Sequence, residues 1–147
     1  MSSRWRPEVV AALADVAGPE QVLTSPEDMY VYGYDGTAMV HHAPRAVVDI
    51  TDSAQIAPIM RLANELDFKV IPRGSGSGLS GGSVPVDDAV VLVLTRLNRI
   101  LEIDEDNLTA MVEPGVITQT LHTEVESRGL FYPPDPGEKS ATIGGNI

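Results

Sequence analysis

Pro72-Arg73-Gly74-Ser75-Gly76-Ser77-Gly78-Leu79-Ser80-Gly81-Gly82 lies between two apolar, β-branched runs. Ahead of it, Lys69-Val70-Ile71-Pro72 reads as a short strand; after it, Ala89-Val90-Val91-Leu92-Val93-Leu94 reads as a buried one. Five glycines and three serines fall in the ten residues from Arg73 to Gly82. Glycine admits positive φ and lets the main chain approach a ligand with no Cβ in the way. Such a chain turns several N–H groups into one concavity, which suits an anion, and serine hydroxyls add donors. A flexible Gly/Ser linker has a similar composition, but linkers seldom lie between buried strands of one compact unit.

Two familiar phosphate loops are excluded. Gly76-Ser77-Gly78-Leu79-Ser80-Gly81 matches G-x-G-x-x-G, a pattern that requires a helix to start within it and cross to the next strand. Only seven residues, Ser83 to Ala89, separate Gly82 from Val90, and Pro85 is among them. A crossover needs about a dozen residues or more, so the Rossmann reading fails. No Gly-Lys-Ser/Thr occurs, which removes the nucleotide-hydrolase loop.

Working outward, Ala46-Val47-Val48-Asp49-Ile50 is a further buried strand. Thr51-Asp52-Ser53 caps a helix whose stripe is Ile56, Ile59, Met60, Ala63 and Leu66, with Pro58 predicting irregular first turns. This strand–helix–strand order is a βαβ unit and favours parallel pairing. Upstream, Pro7 opens a helix carrying Val9, Val10, Leu13 and Val16, which Gly18-Pro19 ends; Ser25-Pro26-Glu27-Asp28 caps a short turn. Downstream, Leu101–Ile103 and Leu108–Val112 read as strands around Asp104-Glu105-Asp106-Asn107, and a helix spans about Thr118 to Arg128, stopped by Gly129. The chain then runs through the proline-punctuated stretch Tyr132-Pro133-Pro134-Asp135-Pro136 into a second glycine-rich loop, where it stops. That suggests a fragment cut within a domain.

The 147 residues suffice for one core, with 43% hydrophobic and 21% charged residues. No cysteine is present, which removes a disulfide framework and a thiol nucleophile. A formal charge of −11 argues against a nucleic-acid partner, and ten Lys and Arg residues leave a bound phosphate to the backbone. Nothing approaches a signal peptide or membrane span, and the expected location is cytoplasmic. His41, His42 and His122 read as surface residues, and Asp104 to Asp106 as a solvated turn without EF-hand spacing.

The Pro72–Gly82 stretch resembles the first FAD loop of the vanillyl-alcohol oxidase/p-cresol methylhydroxylase family. It is most similar to the branch of the glycolate oxidase FAD subunit, D-lactate dehydrogenases and D-2-hydroxyglutarate dehydrogenases. Pro134-Asp135-Pro136 and Thr142-Ile143-Gly144-Gly145-Asn146 supply a second match in the right order, and Tyr30, Tyr34-Asp35-Gly36 also look like that branch. The resemblance covers about residues 25–147.

The resemblance implies an α+β fold: a small parallel subdomain over about 1–104, then the start of a mostly antiparallel one over about 105–147, with FAD between them. It implies cofactor contacts from Pro72, Arg73, Gly74, Ser75, Gly76, Ser77, Gly78, Leu79 and Ser80 on the pyrophosphate. Pro134, Asp135, Thr142, Gly144, Gly145 and Asn146 would flank the flavin and ribityl chain; turn geometry is the alternative role for Asp135. Ser77 stands where some members carry a flavin-linked histidine, so non-covalent binding is expected. The implied parent enzyme oxidises a 2-hydroxy acid and passes electrons to a quinone, a carrier or oxygen. Its catalytic residues and substrate domain are expected beyond this chain, so the fragment alone would be inactive. The alternative is a non-catalytic binding module, or an incomplete cleft whose strand edges pair with another copy as a homo-oligomer.

Overall fold

The computed structural model describes residues 5–134 and 137–147. In chain order the elements are α1 (Pro7–Ala17), β1 (Val22–Leu23), α2 (Pro26–Met29), β2 (Ala46–Asp49), α3 (Ile56–Leu66), β3 (Lys69–Arg73), β4 (Ala89–Val93), β5 (Ile100–Asp104), β6 (Thr109–Val112), α4 (Thr118–Glu126) and α5 (Ile143–Asn146). A four-stranded sheet runs in the order β1-β2-β4-β3, and β5 and β6 form a separate antiparallel pair.

The parallel unit expected from the strand–helix–strand order is present, with one rearrangement. β2 and β3 do not pair with each other, because β4 enters between them and runs parallel to both. All five residues of β4 are buried, which suits a central strand covered on both faces. Its side chains alternate as the pleat requires. Val90 and Leu92 join Ala46, Val48 and Ile50 beneath Val9 and Leu13 of α1 and Ile59 and Ala63 of α3. Val91 and Val93 face the other way, with Val47, Met29, Tyr32 and Ile71.

Local signals explain the helix starts. Asp52 accepts from the Ala54 N–H at 2.8 Å, while the Gln55 side chain accepts from the Asp52 N–H at 3.1 Å. This reciprocal capping box opens a 3-10 turn over Ser53–Gln55 before α3 begins. The irregular start expected from Pro58 is therefore real, and the proline falls within the first turn of α3, where its missing N–H leaves no gap. β1 was not apparent from the sequence: two residues, antiparallel to β2 through Val22↔Val48 and Leu23↔Val47.

The second core gathers Val116, Leu121, Val125 and Ile143, with Ile100, Ile103, Val112, Leu130 and Tyr132 against them. At the base of its hairpin Glu113 is buried. Its carboxylate takes the Arg99 backbone N–H at 2.8 Å and the guanidinium at 2.7 and 3.1 Å. Hydrogen bonds from the Arg99 side chain, then its backbone, hold the Glu113 carboxyl below its ordinary range, against burial. Leu101 and Met111, on the outer side of the hairpin, stay exposed. No helix among the described residues is long and apolar enough to cross a membrane.

Burial separates these positions energetically. Val91→Ala removes two methyl groups from a fully buried site, and urea unfolding will show a loss of about 2–3 kcal/mol. Leu101→Ala, at a half-exposed site, will change stability by no more than about 0.5 kcal/mol.

Candidate cofactor site

β3 and β4 run parallel with Arg73 beside Val93, and β2 ends at Asp49 in register with the same Val93. The glycine loop therefore leaves β3 at the carboxyl edge of three parallel strands, the position where open α/β sheets bind ligands. Among the described residues, no protein acceptor takes the backbone N–H groups of Gly74 through Ser80. In this loop the side chains of Ser75 and Ser77 meet, Oγ to Oγ, at 3.2 Å. Ser80 and Leu79 are exposed, and Pro72 presents an exposed side chain at the end of β3. A run of unpartnered donors on a backbone without side-chain bulk fits a pyrophosphate, since such nests bind anions through partial charges.

The second loop is brought to the first by one contact. A Cβ built on Gly74 would overlap Oγ1 of Thr142. Thr142 is buried, and it forms an isolated antiparallel bridge with Ile117 just ahead of α4. The surrounding segment is tied down by Ile143 N–H to Val116 O at 2.8 Å and Gly144 N–H to Pro114 O at 2.9 Å. Residues 143–146, read from the sequence as loop, form the short helical turn α5. Gly144 and Gly145 are exposed on it. The Asn146 side chain turns inward and donates to Thr118 Oγ1 at 2.6 Å, while Thr118 donates to Ala141 O at 2.9 Å.

Other expected contacts distribute differently. Arg73 is buried, and its guanidinium donates to the carbonyls of Tyr34 at 2.7 Å and Val31 at 3.2 Å. Its side chain thus grips protein backbone. Burial draws the Arg73 guanidinium below its ordinary value, opposed by the charge of Asp35, and an arginine so placed stays protonated at neutral pH. Pro134 lies against α4, where its carbonyl meets His122 Nε2 at 2.9 Å and Tyr132 packs edge-on to the same ring. Asp135 lies outside the described residues. His122, read as a surface side chain, therefore anchors the segment leading to it. His42 pairs with Asp87 at 3.0 Å, while His41 packs on Tyr30 and Tyr34.

Asp35 is the site residue to which the sequence reading gave no role of its own. It is buried and accepts from the Thr37 N–H at 2.8 Å and from Ser83 Oγ at 3.4 Å. Burial raises its carboxyl pKa, but these hydrogen bonds outweigh it and hold the group below the ordinary range. The available signal was Tyr34-Asp35-Gly36 itself, an Asx-type turn sequence. An apolar groove of about 560 Å³, lined among others by Val10, Ala11, Pro26 and Met29, shares no residue with either loop.

A donor-lined glycine loop at the carboxyl edge of a parallel sheet, met by a second loop from an adjoining core, has the geometry to receive an anionic cofactor. The chain belongs to the FAD binding domain family, which matches residues 44–147. It is 45% identical to glycolate oxidase subunit GlcD of Bacillus subtilis over 95% of this chain and 30% of that protein. It is 37% identical to D-lactate dehydrogenase of Anaerostipes hadrus, over 96% of this chain and 30% of that one. The figure for D-2-hydroxyglutarate dehydrogenase of Stutzerimonas stutzeri is 36%, over 96% and 31%. The chain thus spans about 30% of the length of the curated relatives it matches. Among solved structures, p-cresol methylhydroxylase with substrate bound superposes with a TM-score of 0.83 at 23% identity, covering 99% of this chain and 29% of that one. A 4-ethylphenol oxidase from Gulosibacter chungangensis gives 0.81 at 27%, with the same coverage. The p-cresol methylhydroxylase likeness bears on the fold alone, and that fold is the expected α+β arrangement of parallel sheet and antiparallel start.

The contact between the loops is open to a double-mutant cycle. Gly74→Ala will destabilise the chain by about 1–3 kcal/mol through overpacking against Thr142. Adding Thr142→Ala removes the obstructing hydroxyl, so the pair will be less destabilised than the sum of the single variants in thermal unfolding. Simple additivity would mean that the two loops do not touch.

Proposed function

We propose that this chain holds FAD non-covalently for an oxidoreductase that acts on a 2-hydroxy acid of the glycolate, D-lactate or D-2-hydroxyglutarate kind. The observation that carries the cofactor assignment is the run of unpartnered N–H groups from Gly74 to Ser80 beside Thr142. The names of the relatives support the substrate class. On this reading the backbone of Gly74, Ser75, Gly76, Ser77 and Gly78, with Leu79 and Ser80 beside them, receives the pyrophosphate. Thr142, Gly144, Gly145 and the Pro134–Asp135 segment border the flavin side, and Asn146 acts by fixing α5 to Thr118. The bound flavin supplies the hydride-accepting chemistry. Ser77 offers no imidazole for a covalent link, and its hydroxyl is already engaged with Ser75.

The substrate domain and catalytic groups belong, in this proposal, to the remainder of a longer protein. The first subdomain, in this proposal, gives way to the second at about residue 104, within the β5–β6 hairpin, whose Ile100 and Ile103 pack against the second core. The net charge of −11 favours a small-molecule partner over nucleic acid, and a cytoplasmic setting agrees with the absence of cysteine.

Titration of the purified chain with FAD, followed by quenching of flavin fluorescence, tests the assignment. Saturable binding is expected. Gly76 has φ +74° and its α-carbon faces the Arg73 guanidinium, so Gly76→Val will weaken binding by about tenfold or more while leaving the far-UV spectrum intact. A chain that folds yet takes up no FAD would overturn the assignment.

A further inference from the structure

Arg73 is a buried cation with no carboxylate at ion-pair distance among the described residues. Its partners are backbone carbonyls, those of Val31 and Tyr34, and its guanidinium lies 5.7 Å from the centre of the Tyr32 ring. The loop bends over this group: a Cβ on Gly76 would overlap Nη2. The same segment backs the next part of the loop, since a Cβ on Gly36 would come within 2.9 Å of the Ser77 and Gly78 carbonyl oxygens. Asp35 then reaches the far end of the loop at Ser83, 3.4 Å away, and the N–H of Thr37 fixes that carboxylate at 2.8 Å. Segment 31–37 is therefore joined to the glycine loop at its start, along its middle and at its end.

A loop with five glycines has little conformational preference of its own and loses much backbone entropy on ordering. A preorganised anion site needs those N–H groups aimed before the ligand arrives, or the ordering comes out of the binding energy. A planar guanidinium fixed at two carbonyls is a rigid former for the chain to fold around; an ammonium with one point of charge is not.

Resting on the FAD reading above, we propose that Arg73 is a positioning residue that folds Gly74–Gly78 onto segment 31–37 and so aims the loop's N–H groups at the cofactor's diphosphate, without itself touching it. Asp35 completes the same frame at Ser83. The sign of the charge matters less here than the geometry of the fork, which separates this role from that of a phosphate ligand.

The test compares Arg73→Lys and Arg73→Ala with the unaltered chain, first without cofactor and then with FAD. In the cofactor-free state, the amide NMR signals of Gly74–Gly78 and of residues 31–37 will move or broaden together in both variants, while those of α1 and of the β5–β6 hairpin stay in place. FAD affinity will fall by about tenfold or more in Arg73→Lys, although its charge is retained. Arg73→Lys serves as the decisive variant should Arg73→Ala fail to fold. Unchanged loop signals in cofactor-free Arg73→Lys would overturn the proposal, and with weakened FAD binding they would make Arg73 a direct ligand. Full affinity in Arg73→Lys would overturn it too. The cofactor-free arm requires no FAD, so it judges the positioning role separately from the cofactor assignment.

Discussion

Parallel pairing of β4 with both β2 and β3 is the constraint on which the rest of this structure depends. It places the ends of three strands side by side and sends the chain out of β3 over their carboxyl edge. The pairing is stabilised by valines whose side chains fill both faces of the sheet, Val90 beneath α1 and α3 and Val91 against Met29 and Tyr32. Without that double burial, the glycine loop would have no fixed point of departure. With it, the loop's start is set by the pairing of β3 with the fully buried β4, and only its free backbone remains to be shaped.

That shaping comes from two directions. On one side segment 31–37 holds the loop through Arg73, Gly36 and Asp35. On the other, Thr142 of the second core meets Gly74, and Thr142 is in turn fixed by its bridge to Ile117 and by the hydrogen bonds of Ile143 and Gly144. The Arg73 and Asp35 side chains of the first support are engaged with Val31, Tyr34, Thr37 and Ser83. In a chain of net charge −11 with only ten Lys and Arg residues, the proposed diphosphate site therefore relies on directed N–H dipoles, which act at short range.

The strands and helices were legible because their signals are local. Val47-Val48 and Val90-Val91-Leu92-Val93 are buried on both faces and so read as continuous apolar runs, and Asp52 with Gln55 announces the start of α3. The position of β4 was not legible, since strand order depends on which edges meet and not on sequence order. β1 escaped notice because two residues carry no period. The glycine loop itself was readable from composition and from the missing room for a crossover helix. Its supports were less so. An arginine beside a phosphate loop suggests a ligand by residue type, and only the fold reveals that its guanidinium turns toward the Val31 and Tyr34 carbonyls. His122 and Asp35 read as ordinary polar residues, because a carbonyl twelve residues away or a hydroxyl 48 residues away leaves no trace in the local pattern.

The most direct test of the central claim, that two loops from two cores form one cofactor cradle, is FAD titration of the isotope-labelled chain followed at every backbone amide. The account predicts that signals of Gly74–Ser80 and Thr142–Asn146 shift along one common saturation curve. Shifts confined to one loop, or gathered instead at the groove beside Val10, Pro26 and Met29, would contradict it.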